Sequence, residues 1–479
     1  MKIEFNFGTL RPSRPVAERR EEERFRIAIL GDFSARAHRG QLATGRELAQ
    51  RRPWAVDIDR FDEVMRRLGI RLQLPLGAGG EVLSLTIENL EDFHPDALYN
   101  RLEIFGELGN WRQRLQHHST FAEAARAVQA WLGVPSGDTA QPPPGAPRGM
   151  PVPDVQPDDF SRLLGRPATA PTAAEIQVKQ WIKQVVAPYI LPGKDPAQDQ
   201  LVAAVDAGLS DAMRSVLHQA DFQASEALWR SVDLLTRRLE TGPDLQIVLY
   251  DISAEEFAAD LNAGDALDQT GLYSLLVEQP PLNAQQGPLS VILADYTFSE
   301  TAAHAALLGR IAQIAAAAGA PWIANFDGAY LRDSAVEIDA KARQAWAALR
   351  QLPQAAYLGL TLPRFLLRLP YGKGSSPIER FAFEEFLPDR GGRDLLWGNS
   401  AMLVGLLMSQ GFRDGGLAGV QSGATLTVDD LPLVWYRDAD GDPVAVPCTE
   451  FQLTESLAVR AVEESWMPFV AIRGRPEVR

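Results

Sequence analysis

The chain has 479 residues, of which 46% are apolar and 23% charged, with a formal net charge of -15 and a single cysteine, Cys448. That length points to two or more domains of a folded protein. The acidic balance disfavours nonspecific binding to nucleic acid or to an anionic membrane surface. One cysteine excludes an intrachain disulfide, and no apolar run reaches the length of a membrane span. The opening residues, Met1 to Phe7, have no long apolar core and no cleavage pattern, so the expected location is the cytoplasm.

Ile3, Phe5 and Phe7 alternate with polar residues or glycine, which predicts a short strand. Phe25 to Leu30 predicts a better one, ending in the turn Gly31-Asp-Phe-Ser34. No phosphate-loop spacing follows it: Gly40-Gln-Leu-Ala-Thr-Gly45 carries no lysine after its second glycine. Phe61 to Gly69 reads as a short helix, and Leu83, Leu85 and Ile87 as a strand. Asp92 is placed to cap a turn, and Pro95 to open a helix with Leu98, Leu102, Phe105 and Leu108 along one stripe. His94 has no second ligand nearby and reads as structural rather than metal-binding.

Residues 135–160 are rich in proline, from Pro135-Ser-Gly137 through Pro142-Pro-Pro-Gly-Ala-Pro147 to Pro157. Such a stretch cannot form a regular helix, and it marks the best boundary in the chain. The expected organisation is a domain over 1–134, a linker over 135–160 and a second domain over 161–479. Ala174 to Tyr189 and Leu201 to Trp229 have helical spacing. Leu245–Tyr250, Ser290–Phe298 and Pro321–Phe326 read as strands, separated by Ser253 and Glu256 at capping-box spacing and by the alanine-rich helix Ala302–Ala318. Strand, helix, strand is the grammar of an α/β layer, here with mixed sheets flanked by helices.

The stretch from Tyr357 to Asn399 organises the rest. Arg364 and Arg368 stand four residues apart among bulky apolar side chains, bracketed by Pro363 and Pro370. The prolines argue against one long helix, and half-buried arginines need acceptors, for which Glu384 and Glu385 are the nearest candidates. Asn399 to Gln410 reads as a buried helix, Leu431 to Tyr436 as a strand, Asp438 to Asp442 as a solvated turn, and Thr454 to Glu464 as a helix. The turn is no calcium loop, because its twelfth position is Thr449 rather than glutamate. Cys448 has no histidine near it in sequence, and His218 with Glu226 reads as a core-edge histidine and a paired or surface acid rather than an acid–base set.

Leu360-Thr-Leu-Pro-Arg-Phe-Leu-Leu-Arg-Leu-Pro-Tyr-Gly372, followed by Phe383-Glu-Glu385 and Leu396-Trp-Gly-Asn399, resembles the signature of the large contractile-sheath subunit of type VI secretion systems, the TssC/VipB family. His218, Phe222, Gln223, Glu226, Trp229 and Arg230 resemble that family's helical hairpin. Asp295, Tyr296 and Phe298 resemble its Gly-Asp-Tyr-x-Phe segment, with Ala294 in place of glycine, and Pro447-Cys-Thr-Glu450 resembles its Pro-Thr-Glu segment. Residues Ile27 to Ser34 and Phe93 to Leu98 resemble the small sheath subunit, TssB/VipA. The resemblance implies both subunits fused in one chain, where the family normally supplies two. It also implies a C-terminus shorter than the large subunit's usual strand-exchanging tail.

What the resemblance implies for function is structural. The chain is expected to self-associate into a helical sheath around an inner tube protein, to meet baseplate proteins, and to be recycled by an unfoldase, with no enzyme activity, metal or cofactor. Arg364, Arg368, Tyr371, Glu384, Glu385, Trp397, Asn399, Trp229 and Asp295 are the expected structural or interface residues. Two other readings exist: a hydrolase or nucleotide-using enzyme, for which no constellation is visible, and a sheath-fold adaptor at a baseplate that does not polymerise.

Overall fold

A computed structural model describes residues 6–10, 24–76, 81–132, 198–282, 287–332, 338–423 and 426–479. The proline-rich stretch, the helix expected over Ala174 to Tyr189, and residues 3–5 of the first expected strand lie outside the described residues.

Strand β1, Phe25–Gly31, is buried at every position. Its apolar run Ile27–Leu30 fits that, because a strand covered on both faces needs no polar alternation, and the buried Arg26 is held by Gln246. β1 pairs in parallel with β5, Leu245–Asp251, on one side and with β6, Val291–Phe298, on the other. Beyond β6 follow β7 (Trp322–Phe326), β8 (Leu358–Leu362) and β13 (Met467–Pro468), all parallel. Beyond β5 lies the antiparallel edge strand β2, Trp54–Val56. The seven-stranded order is β13-β8-β7-β6-β1-β5-β2. The chain thus winds outward in both directions from β1, which puts the topological switch point between β1 and β6. The amino-terminal region supplies the inner strand β1, and the region after the proline-rich stretch supplies both its neighbours.

The period-2 alternation of β1 separates two cores. Ile27 and Ile29 face one core, shared with the helices Gln198–Leu217 and Ala220–Arg238 and the start of Ala401–Ser422. Ala28 and Leu30 face the other, shared with Ala254–Asn262, Ala302–Ala318 and Ala340–Arg350. The mixed sheet flanked by helices is the α/β arrangement expected from sequence. A separate hairpin pairs β3, Ile70–Leu76, with β4, Glu81–Ile87. Two short ladders complete the strands: β9, Phe365–Leu366, with β10, Trp397–Gly398, and β11, Val434–Arg437, with β12, Pro443–Val446.

Local signals account for most helix ends. Ser253 and Glu256 form a reciprocal capping box, Pro95 occupies the first turn of Pro95–Arg101, and Thr454 caps Glu455–Glu463. Four details differ from the sequence expectation. Asn89, not Asp92, is the cap of the turn before His94, and Asp92 answers it from the third position. The stripe Leu98 to Leu108 is split, because Leu102 is extended and a second helix starts at Glu103. Leu201 to Trp229 is two helices, broken at Gln219, whose side chain caps the second. The helix at 401 runs past Gln410 to Ser422 with a break at Gly415 and Gly416, the latter at φ 61°, and the Gly411 and Gly419 backbones pack so closely that a side chain on either would collide.

Candidate functional site

The motif arginines part company in space. After β8 a cis Leu362–Pro363 bond leads into Arg364, β9 and Arg368. Arg364 points outward to Glu450, with Nε–Oε2 at 2.9 Å and Nη2–Oε1 at 3.0 Å. Arg368 points inward, its side chain 10% exposed, toward two fully buried carboxylates. Its Nε donates to Glu226 Oε1 at 2.8 Å and its Nη1 to Glu385 Oε2 at 2.7 Å. Arg230, one turn after Glu226 on the same helix, donates to Glu226 Oε1 at 2.7 Å and to the Tyr371 hydroxyl at 3.0 Å. Two guanidinium groups therefore share two carboxylates, which is the balance that burial of charge requires.

Tyr371 completes the cluster. Its ring lies under the Arg368 guanidinium, 4.0 Å from centroid to carbon, a cation–π contact. Its amide donates to Glu385 Oε2 at 2.7 Å, and the Glu385 amide donates back to the Tyr371 carbonyl at 2.8 Å. His218 sits between Glu385, at 3.7 Å, and Asp394, at 3.4 Å. Burial alone would raise the Glu385 carboxyl, but Arg368, His218 and the Tyr371 amide outweigh it and hold it at about 2. Burial opposes charge on Arg368, and Glu226 and Glu385 more than compensate, so it is held well above its ordinary value. Burial pushes the Tyr371 phenol up to about 12.

The other residues singled out from sequence take different places. Glu384 accepts neither arginine; it faces the loop, taking the Lys373 amide at 3.0 Å, while its carbonyl accepts Arg214. The alternation of adjacent side chains in an extended segment sends Glu385 in and Glu384 out. Trp397, on β10, donates Nε1 to the Gly392 carbonyl at 2.9 Å. Asn399 ties the sheet to the following helix: Nδ2 donates to the Ala294 carbonyl at 3.0 Å and Oδ1 accepts the Ala401 amide at 2.9 Å. Asp295 stands beside it within β6, where burial pushes its carboxyl up to about 6 against the Asn399 hydrogen bond. Trp229 is fully buried, donates to the Phe33 carbonyl at 3.1 Å, and meets the Phe33 and Phe61 rings edge-on.

Trp229 thus joins the two ends of the sequence, and so do other contacts around the cluster. His94 meets Tyr371 edge-on at 4.9 Å, as Phe93 meets Phe222, and the Tyr99 ring lies tilted against Phe381. The Asp96 carboxylate accepts the Glu379 and Arg380 amides at 3.1 and 3.3 Å. On the opposite face of the sheet Glu256 accepts Arg36, Arg51 and the Ala43 amide, all from the amino-terminal region, and Arg51, Arg36 and the Ser253 amide hold its carboxyl at about 2 against burial. Asp260 accepts the amides of Gly45, Gly271 and Leu272. Asp251 accepts the Ser34 amide at 3.0 Å and hydroxyl at 2.7 Å.

A sequence profile of the VipB family, described as EvpB/VC_A0108, tail sheath N-terminal domain, matches residues 199–478. The chain belongs to this family. A second profile, described as Type VI secretion system, VipA, VC_A0107 or Hcp2, matches residues 9–132. VipA-type and VipB-type regions are therefore fused in one chain, and the contacts above are the interface between them. A similar curated protein is the type VI secretion system sheath protein TssC1 of Pseudomonas aeruginosa, 30% identical over 290 residues. The match covers 57% of this chain and 58% of the relative, so the chain spans less than two thirds of that relative's length.

Glu226 and Glu385 are taken up by guanidinium groups and the Tyr371 amide, while Asp394 Oδ2 and His218 Nε2 are buried without a hydrogen-bond partner. Among the described residues no group of three His, Cys, Asp or Glu side chains is placed to hold a metal ion. Cys448 is fully buried and its thiol is pushed up to about 11 by burial, the reverse of what a nucleophile needs. Among the described residues no helix is long and apolar enough to cross a membrane. Sequence reasoning singled out Arg368, Tyr371 and Glu385 but gave no role to Glu226 as their shared partner, and it passed over Arg36, Arg51 and Asp260. A buried carboxylate 142 positions from its arginine leaves no local signal, although the Ser253/Glu256 capping box did mark one end of the second network.

Proposed function

We propose that the chain is a sheath protomer, in which small- and large-subunit regions work as one building block. Copies self-associate into a helical sheath around an inner tube protein, beside baseplate proteins, and contraction is a switch between two packings of preformed protomers. In this reading the regions over 1–134 and 161–479 correspond to the two subunits and the stretch 135–160 joins them. The observation that carries the proposal is the placement of β1 between β5 and β6, since a strand shared across the joint makes the two regions a rigid unit. Open helical stacking needs contacts that repeat without closing, and a rigid unit transmits them. The Arg368 cluster, Trp229, Trp397 and Asn399 brace the unit from inside. Arg364 and Glu384, which face outward, are candidates for contacts between protomers. Neither reading of the site calls for a catalytic group or cofactor, and an unfoldase would act on the contracted sheath.

The test is negative-stain electron microscopy of the purified chain, alone and co-expressed with its neighbouring tube protein. Long striated tubes are expected. Discrete particles under both conditions would replace the polymer with an adaptor built on the sheath fold.

A further inference from the structure

The residues at the start of the VipA-type match make a contact that neither the cluster nor the sheet requires. Residues 6–10 lie across the outer layer, against the helix Ala302–Ala318 and the turn before Leu267. Phe7 lies over Gly309, in the middle of that helix. A Cβ at Gly309 would stand 2.0 Å from Phe7 Cδ1, so alanine there is incompatible with the seated ring. Glycine inside a helix costs about 0.5–1 kcal/mol relative to alanine, and this one has no turn or positive φ to justify it. The notch exists for the ring that fills it.

The surroundings read the rest of the segment. Gln313, one turn on from Gly309, donates Nε2 to the Phe7 carbonyl at 2.6 Å. Gly8 has φ +81°, and a side chain there would strike Leu267 at 2.9 Å, so the backbone bends where only glycine bends easily. Thr9 then pairs with the chain at Ala266: its amide donates to the Asp265 carbonyl at 2.7 Å, and the Leu267 amide donates to the Thr9 carbonyl at 3.0 Å. Asn6 donates to Asp265 Oδ1 at 2.9 Å. Arg310 fixes this turn from below, with Nη1 on the Leu261 carbonyl at 2.9 Å and Nη2 on Asp265 Oδ1 at 3.2 Å. Each residue from Asn6 to Thr9 is recognised by a different feature: a carboxylate, a notch, a bend and a ladder.

We propose that this face is a sequence-specific peptide-binding site for an extended Asn-Phe-Gly-Thr segment, whose resident occupant is residues 6–9 of the same chain, held as a detachable strap. The strap meets its site through one aromatic ring and a few hydrogen bonds. That suits a weak site kept full by tethering, since a short connection supplies an effective concentration in the millimolar range. The same peptide in solution binds more tightly once the resident strap is disabled.

The experiment is fluorescence anisotropy with a labelled peptide of residues 1–10. It is added to the full-length chain, to F7A, and to F7A carrying G309A or Q313A. Hydrogen exchange over 302–318 in each variant reports that the helix is intact. Saturable binding to F7A is expected, with the intact chain at least about 10-fold weaker because its own strap competes. G309A is expected to abolish binding, and Q313A, which keeps the notch, to weaken it several-fold. A peptide carrying F7A should bind at least about 10-fold less well. Failure of the peptide to bind F7A while 302–318 stays protected would overturn the proposal. So would equal binding to F7A and F7A/G309A. An intact chain whose strap proves, by mixed-isotope crosslinking of residue 7 to residue 309, to be seated in a second copy would replace the resident occupant with a neighbour's.

Discussion

Two arginines of one motif, four residues apart, teach opposite lessons. Arg364 is 41% exposed and holds Glu450, itself 23% exposed, in a bidentate pair with Arg332 at 3.6 Å on the same carboxylate. Arg368 is 10% exposed and holds two carboxylates that are at most 1% exposed. Solvent screens the first pair and competes for its hydrogen bonds, so its net worth is small and adjustable. The second pair has no solvent to fall back on, and each member is stabilising only while its partners are present. A surface pair of this kind can be exchanged for contacts with another molecule. A buried one fixes the relation of the helix Ala220–Arg238, the segment 368–385 and, through Tyr371 and His94, the VipA-type region.

The largest expected effect comes from breaking the buried balance. Glu226→Gln takes from Arg230 the carboxylate it holds and leaves Arg368 with Glu385 alone. A loss of about 3–5 kcal/mol in unfolding free energy is expected, measured by urea titration. A loss under about 1 kcal/mol would mean that water enters and that the Arg368 end behaves like the Arg364 end. Acid should sharpen the same contrast. Glu385 and Glu256 are each held at about 2 against an ordinary value of 4.5. The unfolded chain therefore binds protons more readily than the folded one between those values. Their contribution is complete above about pH 4.5 and is lost as the pH falls toward 2, on the order of 3 kcal/mol for Glu385. Glu385→Gln should flatten this limb of the stability–pH curve measured by thermal unfolding.

Much of this architecture is legible in the residues themselves. The apolar run Ile27–Leu30 of β1, the capping box at Ser253, and Pro95 at a helix start are local signals that local physics decides. The site was half legible. The bracketing prolines argued against one long helix and the apolar neighbours for half-buried arginines with Glu384 or Glu385 as acceptors; only Arg368 is enclosed, and of those two acids only Glu385 holds it. Between Glu384 and Glu385 only the facing of an extended segment decides, and that depends on the Tyr371 backbone pairing. Glu226 and Glu450 are supplied by distant elements, so no spacing could assign them. The position of β1 between β5 and β6 is likewise a property of the assembled sheet: the proline-rich stretch marks a joint in sequence that the sheet crosses.

A group of opposite sign gives a smaller effect and tests the other face. Glu300, just after β6, has one carboxylate oxygen buried without a hydrogen-bond partner. Burial and then Glu464 push it up to about 7, with Arg350 and Arg460 opposing and Asp327 adding to the rise. Its folded value lies above its unfolded one, so it destabilises when ionised: the penalty is absent below about pH 4.5 and complete above about pH 7. Glu300→Gln is expected to raise stability at pH 8 by about 1–3 kcal/mol and to leave it nearly unchanged at pH 4.5. Equal gains at both values would assign the effect to packing rather than to charge.

The smallest expected effect completes the comparison of the two arginines. Arg364→Ala removes a bidentate pair, but Arg332 remains near Glu450 and both ends are wetted by solvent. The expected loss in unfolding free energy is at most about 1 kcal/mol, shrinking further in high salt. A structural role would end there. If Arg364 instead meets another protomer, the same substitution should leave the unfolding curve of the dispersed chain in place while lowering the yield of assembled particles in sedimentation. Stability and assembly would then separate at residue 364 and fail together at residue 226, which divides an outward-facing contact from an internal brace.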